Sequence, residues 1–281
     1  MRFLVTGANG QLATDLIKLC IEGGDEAVGL SRTQLDITDQ DAVHSAITST
    51  SPDVVVNCAA WTGVDACEDD PGRAHQVNGV AVGILGQIAQ EHGSHLVQIS
   101  TDYVFDGDKT GPYLETDATN PQSVYGQSKL AGEMAAHQVS GAVIRTSWLC
   151  SAHGGNMVST ILRLANEHPI MRFVSDQRGH PTFTSDLSAA VRQIGSDRLT
   201  GTLPVTNSGP LSWFEFAQAV LHAAGEDPGR IEPILTRDLL PARPAKRPAN
   251  SVLSNSVYED LGYQPLRDFR EPLAEAIDTY I

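Results

Sequence analysis

The sequence predicts an α/β protein: a doubly wound parallel sheet followed by a smaller C-terminal α/β lobe. Three observations predict it. Short apolar or β-branched runs alternate with helical patterns through the first half. A glycine-bearing turn joins the first run to the first helix. The alternation weakens after Trp148, where proline and loop signals accumulate. Buried strands that alternate with amphipathic helices make a parallel sheet covered on both faces. At 41% hydrophobic and 19% charged residues, the 281-residue chain can bury a real core, which excludes wholesale disorder.

In chain order, Phe3-Leu4-Val5 reads as the first strand, and Leu12, Leu16 and Leu19 mark the first helix. Ala27-Val28 and Val54-Val55-Val56 are the next two strands. Val77, Ala81, Ile84, Leu85 and Ile88 carry a helical spacing, and Leu96-Val97 follows as a strand. Tyr125 to Glu133 reads as a helix, and Ala142-Val143-Ile144 is the last clear run. In the second half one helix stands out, from about Ser212 to Ala224. Ser212 is its expected N-cap, and Glu215 completes a capping box. Trp213, Phe214 and Phe216 read as ordinary packing of that helix. No internal repeat or low-complexity linker is present.

Thr6-Gly7-Ala8-Asn9-Gly10-Gln11-Leu12-Ala13 sits at the first strand–helix junction. Gly7 permits the tight turn. Gly10 lets the backbone approach a diphosphate, which then rests on the helix N-terminus, where free N–H groups and the dipole favour anions. Ala13 is small enough for close helix–strand packing. Gly7, Asn9, Gly10, Gln11 and Leu12 are therefore the expected cradle of a Rossmann-type dinucleotide site. An acidic residue ending the second strand would select NAD; here the chain reads Leu30-Ser31-Arg32. A hydroxyl and a guanidinium suit a 2′-phosphate, so Ser31 and Arg32 predict NADPH, with NADH as the alternative donor. Asp36 and Ile37 are placed at the adenine edge. After the third strand, the small residues Ala59 and Ala60 leave room for ribose and nicotinamide. Asn78 is expected to bridge backbone groups.

Two segments carry chemistry. Ser100-Thr101-Asp102-Tyr103-Val104-Phe105 ends a strand, and Tyr125-Gly126-Gln127-Ser128-Lys129 begins a helix. Tyr125 and Lys129 are four apart and share one helical face. Reducing a carbonyl needs a hydride donor and a proton donor on the same C=O. A phenol is a poor acid at neutral pH, and a fixed ammonium beside it is expected to draw its pKa down. Lys129 can also hold the cofactor ribose. Thr101 can polarise the carbonyl together with Tyr125. Tyr125, Lys129 and Thr101 are the predicted catalytic residues.

Lys plus Arg number 19 against 34 Asp plus Glu, a net charge of −15. Such a surface argues against nucleic acid and anionic membrane as partners. No run approaches the length of a membrane span, and the N-terminus enters a folded motif directly, so a cytoplasmic protein without a leader is expected. Cys20, Cys58, Cys67 and Cys150 are scattered and read as free thiols. His92 and His95 straddle a helix end and a strand start, so no metal site is expected. Glu68-Asp69-Asp70 reads as a solvated helix end.

Together these segments resemble the extended short-chain dehydrogenase/reductase family, and within it the dTDP-4-dehydrorhamnose reductase branch. The resemblance covers essentially the whole chain. It continues through Asn57 to Asp65, Arg145-Thr146-Ser147-Trp148, Asp176-Gln177-Arg178-Gly179-His180-Pro181-Thr182 and Arg247 to Leu253. It implies NADPH- or NADH-dependent reduction of the 4-keto group of dTDP-6-deoxy-L-lyxo-4-hexulose to dTDP-L-rhamnose. It implies that Thr101, Tyr125 and Lys129 form the family triad. It places Thr62 and Val64 in a loop touching cofactor and sugar, Asp102 and Tyr103 on the substrate side, and Trp148 against the sugar. Arg247 and Asn250 would belong to the lobe that holds the nucleotide. Arg237, Arg243, Lys246 and Arg247 form a basic cluster in an acidic chain, and Arg247 is the expected diphosphate contact. Asn250 ties the loop or contacts the nucleotide. Trp61, Cys67 and Cys150 depart from the usual family residues, and Cys150 bears on the sugar pocket. The expected domains are 1–147, binding dinucleotide, and 148–281, mainly binding substrate, with part of about 170–205 returning to the first. Two alternatives remain open: a reductase of another dTDP-4-keto-deoxysugar, and a non-catalytic dinucleotide-binding regulatory subunit. The intact Thr101, Tyr125 and Lys129 argue against the second. Some relatives dimerise around magnesium; the sequence leaves open both Mg2+ and the choice between monomer and homodimer.

Overall fold

The structure, a computed structural model, describes residues 1–280. Its first half runs β1 (Arg2–Thr6), α1 (Gln11–Glu22), β2 (Glu26–Leu30), α2 (Gln40–Thr50), β3 (Val54–Asn57), α3 (Val64–Asp69), α4 (Pro71–His75), α5 (Ala81–Glu91), β4 (His95–Thr101), α6 (Val124–Gln138) and β5 (Ala142–Thr146). The second half adds β6 (Leu149–Cys150), α7 (Met157–Glu167), β7 (Met171–Val174), β8 (Arg178–Gly179), β9 (Thr182–Phe183), α8 (Thr184–Ser196) and β10 (Gly201–Pro204). It closes with β11 (Leu211–Ser212), α9 (Trp213–Ala223), β12 (Ile231–Ile234), α10 (Ser256–Asp260) and α11 (Arg270–Ala276).

Six parallel strands form the main sheet in the order β10-β5-β4-β3-β1-β2. The five apolar runs seen in the sequence are its first five strands. The sixth, β10, was not singled out: Gly201-Thr202-Leu203-Pro204 is short and bears a proline, tolerated because the strand lies at the sheet edge. Side chains alternate across the pleat. Phe3, Val5 and Val56 face a core completed by Leu187, Val191 and Ile194 of α8. Leu4 and Val55 face the opposite layer with Ile47 and Leu85. A separate cluster of Phe183, Phe216, Val220, Phe269 and Leu273 fills the smaller lobe. Its main helix, α9, has the expected Ser212–Glu215 capping box.

The winding reverses beside β1, which pairs with β2 on one side and β3 on the other. Ligands of open parallel sheets bind at that switch point, beyond the C-terminal strand ends. A buried polar chain fixes the floor there. Thr6 Oγ1 donates to Asn57 Oδ1 at 2.6 Å, and Asn57 Nδ2 donates to Gln98 Oε1 at 2.7 Å, joining β1, β3 and β4. Among the described residues, no helix is long and apolar enough to cross a membrane. The four cysteines are free.

Candidate active site

The cradle forms because Gly7 has a φ of +67°, a left-handed conformation that side chains disfavour. A Cβ there would also lie 2.9 Å from Ala59 Cα, so the turn and the β3 end approach as closely as backbones can. No described side chain caps the N-terminus of α1, and its first turn holds no acidic residue. Its leading N–H groups are thus free for an anion. From this cradle a cavity of about 520 Å³ extends past Arg32, Asp36 and Ile37 on one side and Ala59 and Ala60 on the other. These residues fit a dinucleotide.

The predicted cofactor residues separate by how they could act. Arg32, Asp36 and Ile37 line the cavity. Ser31 is buried, and its Oγ donates to Gln34 Oε1 at 2.7 Å. It shapes the turn that presents Arg32 instead of facing the cavity. Leu12 packs in the core, which leaves its backbone N–H for a phosphate. Asn9 is exposed on the turn. Gln11 lies further in, donating to Gly155 O at 3.2 Å. Arg73, which the sequence reading passed over, lines the same cavity with its guanidinium 4.5 Å from the Trp61 ring centroid. Asn78 bonds both the N–H and the C=O of Trp61 and also the Ser128 hydroxyl, the bridging role expected of it.

A second cavity, about 330 Å³, meets the first at Cys58 and Ala60. Thr101, Asp102, Tyr103, Tyr125, Lys129 and Trp148 all line it. Three local features bring them there. Ser123 caps α6 by accepting from Gly126 N at 3.1 Å. Gly126 lets the helix start press on the preceding turn, since a Cβ would sit 2.3 Å from Tyr103 O. The Tyr125 ring then meets Tyr103 edge-on, with centroids 5.6 Å apart. Further along α6, Glu133 makes a bidentate pair with Arg145 of β5 at 2.7 and 3.0 Å and accepts from Ser100 of β4 at 2.6 Å. Both charges are almost fully buried.

Lys129 Nζ donates to Ile99 O at 2.6 Å, and burial lowers its pKa to about 8. Thr101 Oγ1 donates to Asp102 Oδ1 at 2.9 Å and accepts from Tyr103 N at 3.2 Å. Burial pushes the Tyr125 phenol above its ordinary value, and the Asp102 charge adds to this while Thr101 opposes it. That reverses the expected direction. Lys129 donates to a backbone carbonyl and is not among the groups that shift the phenol. Burial also raises Asp102 to about 6, and its Oδ2 has no partner among the described residues.

Trp148 adopts a left-handed φ of +45°, a costly conformation for a bulky side chain. Two contacts support the turn: Ser147 Oγ donates to His180 O at 2.7 Å, and Gly179 leaves room for the indole. The Trp148 ring stacks on Trp213 with centroids 3.6 Å apart, and both line the second cavity. Trp213 is thus a site residue that the sequence reading assigned to packing. Its spacing from Phe216 and Val220 is that of a core face, and only the folded chain shows Trp148 beside it. Cys150 is buried in the lobe core behind this wall, so the departure there does not reach the cavity.

A third cavity, about 400 Å³, shares Val64, Tyr103 and Trp213 with the second and adds Arg172, Arg243 and Arg247. The expected basic cluster splits: Arg243 and Arg247 share this cavity, and Arg237 and Lys246 do not line it. Arg237 is exposed beside Asp238, and Lys246 donates to Gln122 Oε1 at 3.4 Å. Arg247 forks onto Asp65 at 2.6 and 2.7 Å. Asn250 ties its loop, donating to Lys109 O and Gly111 O. Glu68 and Asp70 are not merely solvated: Glu68 accepts from Val124 N, and Asp70 caps α4. Among the described residues, no His, Cys, Asp or Glu cluster is suited to a metal.

A parallel sheet wound in this way, whose switch point opens onto a tyrosine, a lysine and a threonine, defines a dinucleotide-dependent oxidoreductase. The model of the family described as RmlD substrate binding domain matches residues 1–281, and the chain belongs to that family. It is 42% identical to the dTDP-4-dehydrorhamnose reductase of Streptomyces griseus, covering 98% of this chain and 92% of that one. It is 34% identical to the dTDP-4-keto-6-deoxy-D-glucose reductase of Streptomyces niveus, covering 98% and 96%. Among solved structures, the dTDP-4-dehydrorhamnose reductase of Bacillus anthracis in complex with NADP superimposes with a TM-score of 0.94, at 32% identity and over 99% and 98% of the two chains.

Proposed function

We propose that the chain reduces the 4-keto group of dTDP-6-deoxy-L-lyxo-4-hexulose to dTDP-L-rhamnose with NADPH, the last step of dTDP-rhamnose synthesis. One observation carries the reading. The cavity lined by Thr101, Tyr125 and Trp148 opens at Cys58 and Ala60 into the cavity of the glycine cradle. NADPH, when bound, supplies the hydride. The cradle at Gly7 and Gly10 and the leading N–H groups of α1 hold its diphosphate, and Arg32 meets the 2′-phosphate. Lys129 holds the nicotinamide ribose. Thr101 and Tyr125 bond the sugar carbonyl oxygen, and Tyr125 gives that oxygen its proton as the carbon is reduced. Trp148 and Trp213 form an aromatic wall for the sugar. The third cavity, with Arg243 and Arg247, takes the deoxythymidine diphosphate. We also propose a dinucleotide-binding unit over 1–147 and a substrate lobe over 148–281, with α8 and β10 returning to the first. The core shared by Phe3, Val56, Leu187 and Ile194 supports that division.

The resemblance to the Streptomyces niveus enzyme favours a second reading, a different dTDP-4-ketosugar as substrate. Purified protein tested with several dTDP-ketosugars, by loss of NADPH absorbance and product analysis, separates the two. Fastest turnover of the L-lyxo ketosugar supports the first reading; turnover of only another ketosugar supports the second.

A further inference from the structure

We propose that Asp65 is a positioning residue that aims Arg247, and the strap carrying it, at the nucleotide cavity. The proposal rests on the dTDP-sugar reading above. Asp65 is the second residue of α3, beside Val64, which lines the sugar cavity together with Cys58, Ala60 and Thr62 of the preceding loop. Its carboxylate gathers three donors from far along the chain. Oδ1 accepts from Arg247 Nη1 at 2.6 Å and from Ala245 N at 3.1 Å, and Oδ2 accepts from Arg247 Nη2 at 2.7 Å. These bonds hold the Asp65 carboxyl well down, at about 2. Arg247 Nη1 also donates to Ala245 O at 2.7 Å, which closes the strap on itself.

The consequence is directional. A guanidinium has five N–H donors. Asp65 and the Ala245 carbonyl engage three of those on Arg247, which leaves two on a side chain that lines the third cavity together with Tyr103. The Arg247 side chain is only 9% exposed, so its long stem has little freedom left to lose when a ligand binds. Asp65 also cancels much of the Arg247 charge. Arg172 on the same cavity is paired with Glu232, so the exposed Arg243 is the cation best placed there to attract a diphosphate at long range. Arg247 supplies a fixed fork, and Asp65 fixes it.

The test uses the full-length protein with Asp65→Asn, Asp65→Glu, Arg247→Gln and the Asp65→Asn/Arg247→Gln double variant. Binding of dTDP is measured by calorimetry, NADPH binding by fluorescence, and turnover with the ketosugar. Asp65→Asn is expected to weaken dTDP binding and raise the ketosugar KM roughly tenfold, the loss typical when a ligand-orienting partner is removed. Turnover at saturating ketosugar and NADPH affinity are expected to stay within about twofold of wild type, and Asp65→Glu to recover most of the loss. In the Arg247→Gln background, Asp65→Asn is expected to add less than about twofold, because the residue acts through Arg247. Equal losses in both backgrounds, an unchanged KM, or joint loss of NADPH and dTDP affinity would each overturn the proposal. Wild-type protein that binds NADPH but not dTDP would instead overturn the dTDP-sugar reading and this role with it.

Discussion

Burial, with the Asp102 charge beside it, raises the pKa of the Tyr125 phenol, which keeps its proton at neutral pH even at its ordinary value. The proposed reduction takes a proton from Tyr125, so a phenol protonated at neutral pH starts in the form that chemistry needs. Tyr125→Phe is therefore expected to lower turnover about 10²- to 10⁴-fold while NADPH still binds, measured by steady-state kinetics and cofactor fluorescence. Asp102 gives a second prediction. Its pKa is raised to about 6, so the folded chain binds this proton more tightly than the unfolded chain does. Stability from this group is complete below the unfolded value near 4 and is lost as pH rises through 6. Asp102→Asn buries no charge. Its melting temperature relative to wild type is expected to rise between pH 4 and 6.5 and then level off, a wild-type deficit on the order of 2–3 kcal/mol. A difference that stays flat with pH would contradict this. At this scale the sequence revealed the residues better than their partners. The four-residue spacing of Tyr125 and Lys129 was legible because a helix sets it. The Lys129–Ile99, Trp148–Trp213 and Asp65–Arg247 contacts were not, because each joins segments that only the fold brings together.

The helix α6 aims two of the three proposed catalytic side chains, so its anchorage decides the geometry. Glu133 and Arg145 lock it to β5, and Ser100 adds β4. Removing one partner of a buried, hydrogen-bonded pair leaves the other charge uncompensated. Glu133→Ala is expected to cost about 3–5 kcal/mol in urea unfolding, whereas Glu133→Leu/Arg145→Met is expected to recover most of that. Equal destabilisation by both variants would argue against the pair as the anchor. The first five strands and the cradle were legible because continuous apolar runs and Gly7 leave few alternatives. The edge strand β10 and the two-residue strands of the lobe were not, since such short segments show no periodicity.

Across the whole molecule, the site lies where two cores meet. Chain from the second half, α8 and β10, completes the sheet of the first, and the smaller lobe closes over the switch point with Trp148 and Trp213. The second of three cavities shares lining residues with both others, and under the proposed function they take a dinucleotide, a sugar and a nucleotide, although the chain carries a net charge of −15. Arginines line the first and third cavities of this acidic chain, and the proposed anionic ligands rely on them instead of on overall charge. The central claim is that cofactor and Tyr125 act on one ketone. The most direct measurement is turnover of dTDP-6-deoxy-L-lyxo-4-hexulose with NADPH carrying deuterium at both hydrogen positions of nicotinamide carbon 4, read by mass spectrometry and NMR of the sugar. The account predicts dTDP-L-rhamnose carrying one deuterium, at sugar carbon 4. Product without deuterium at that carbon, or no turnover by protein that binds both ligands, would contradict it.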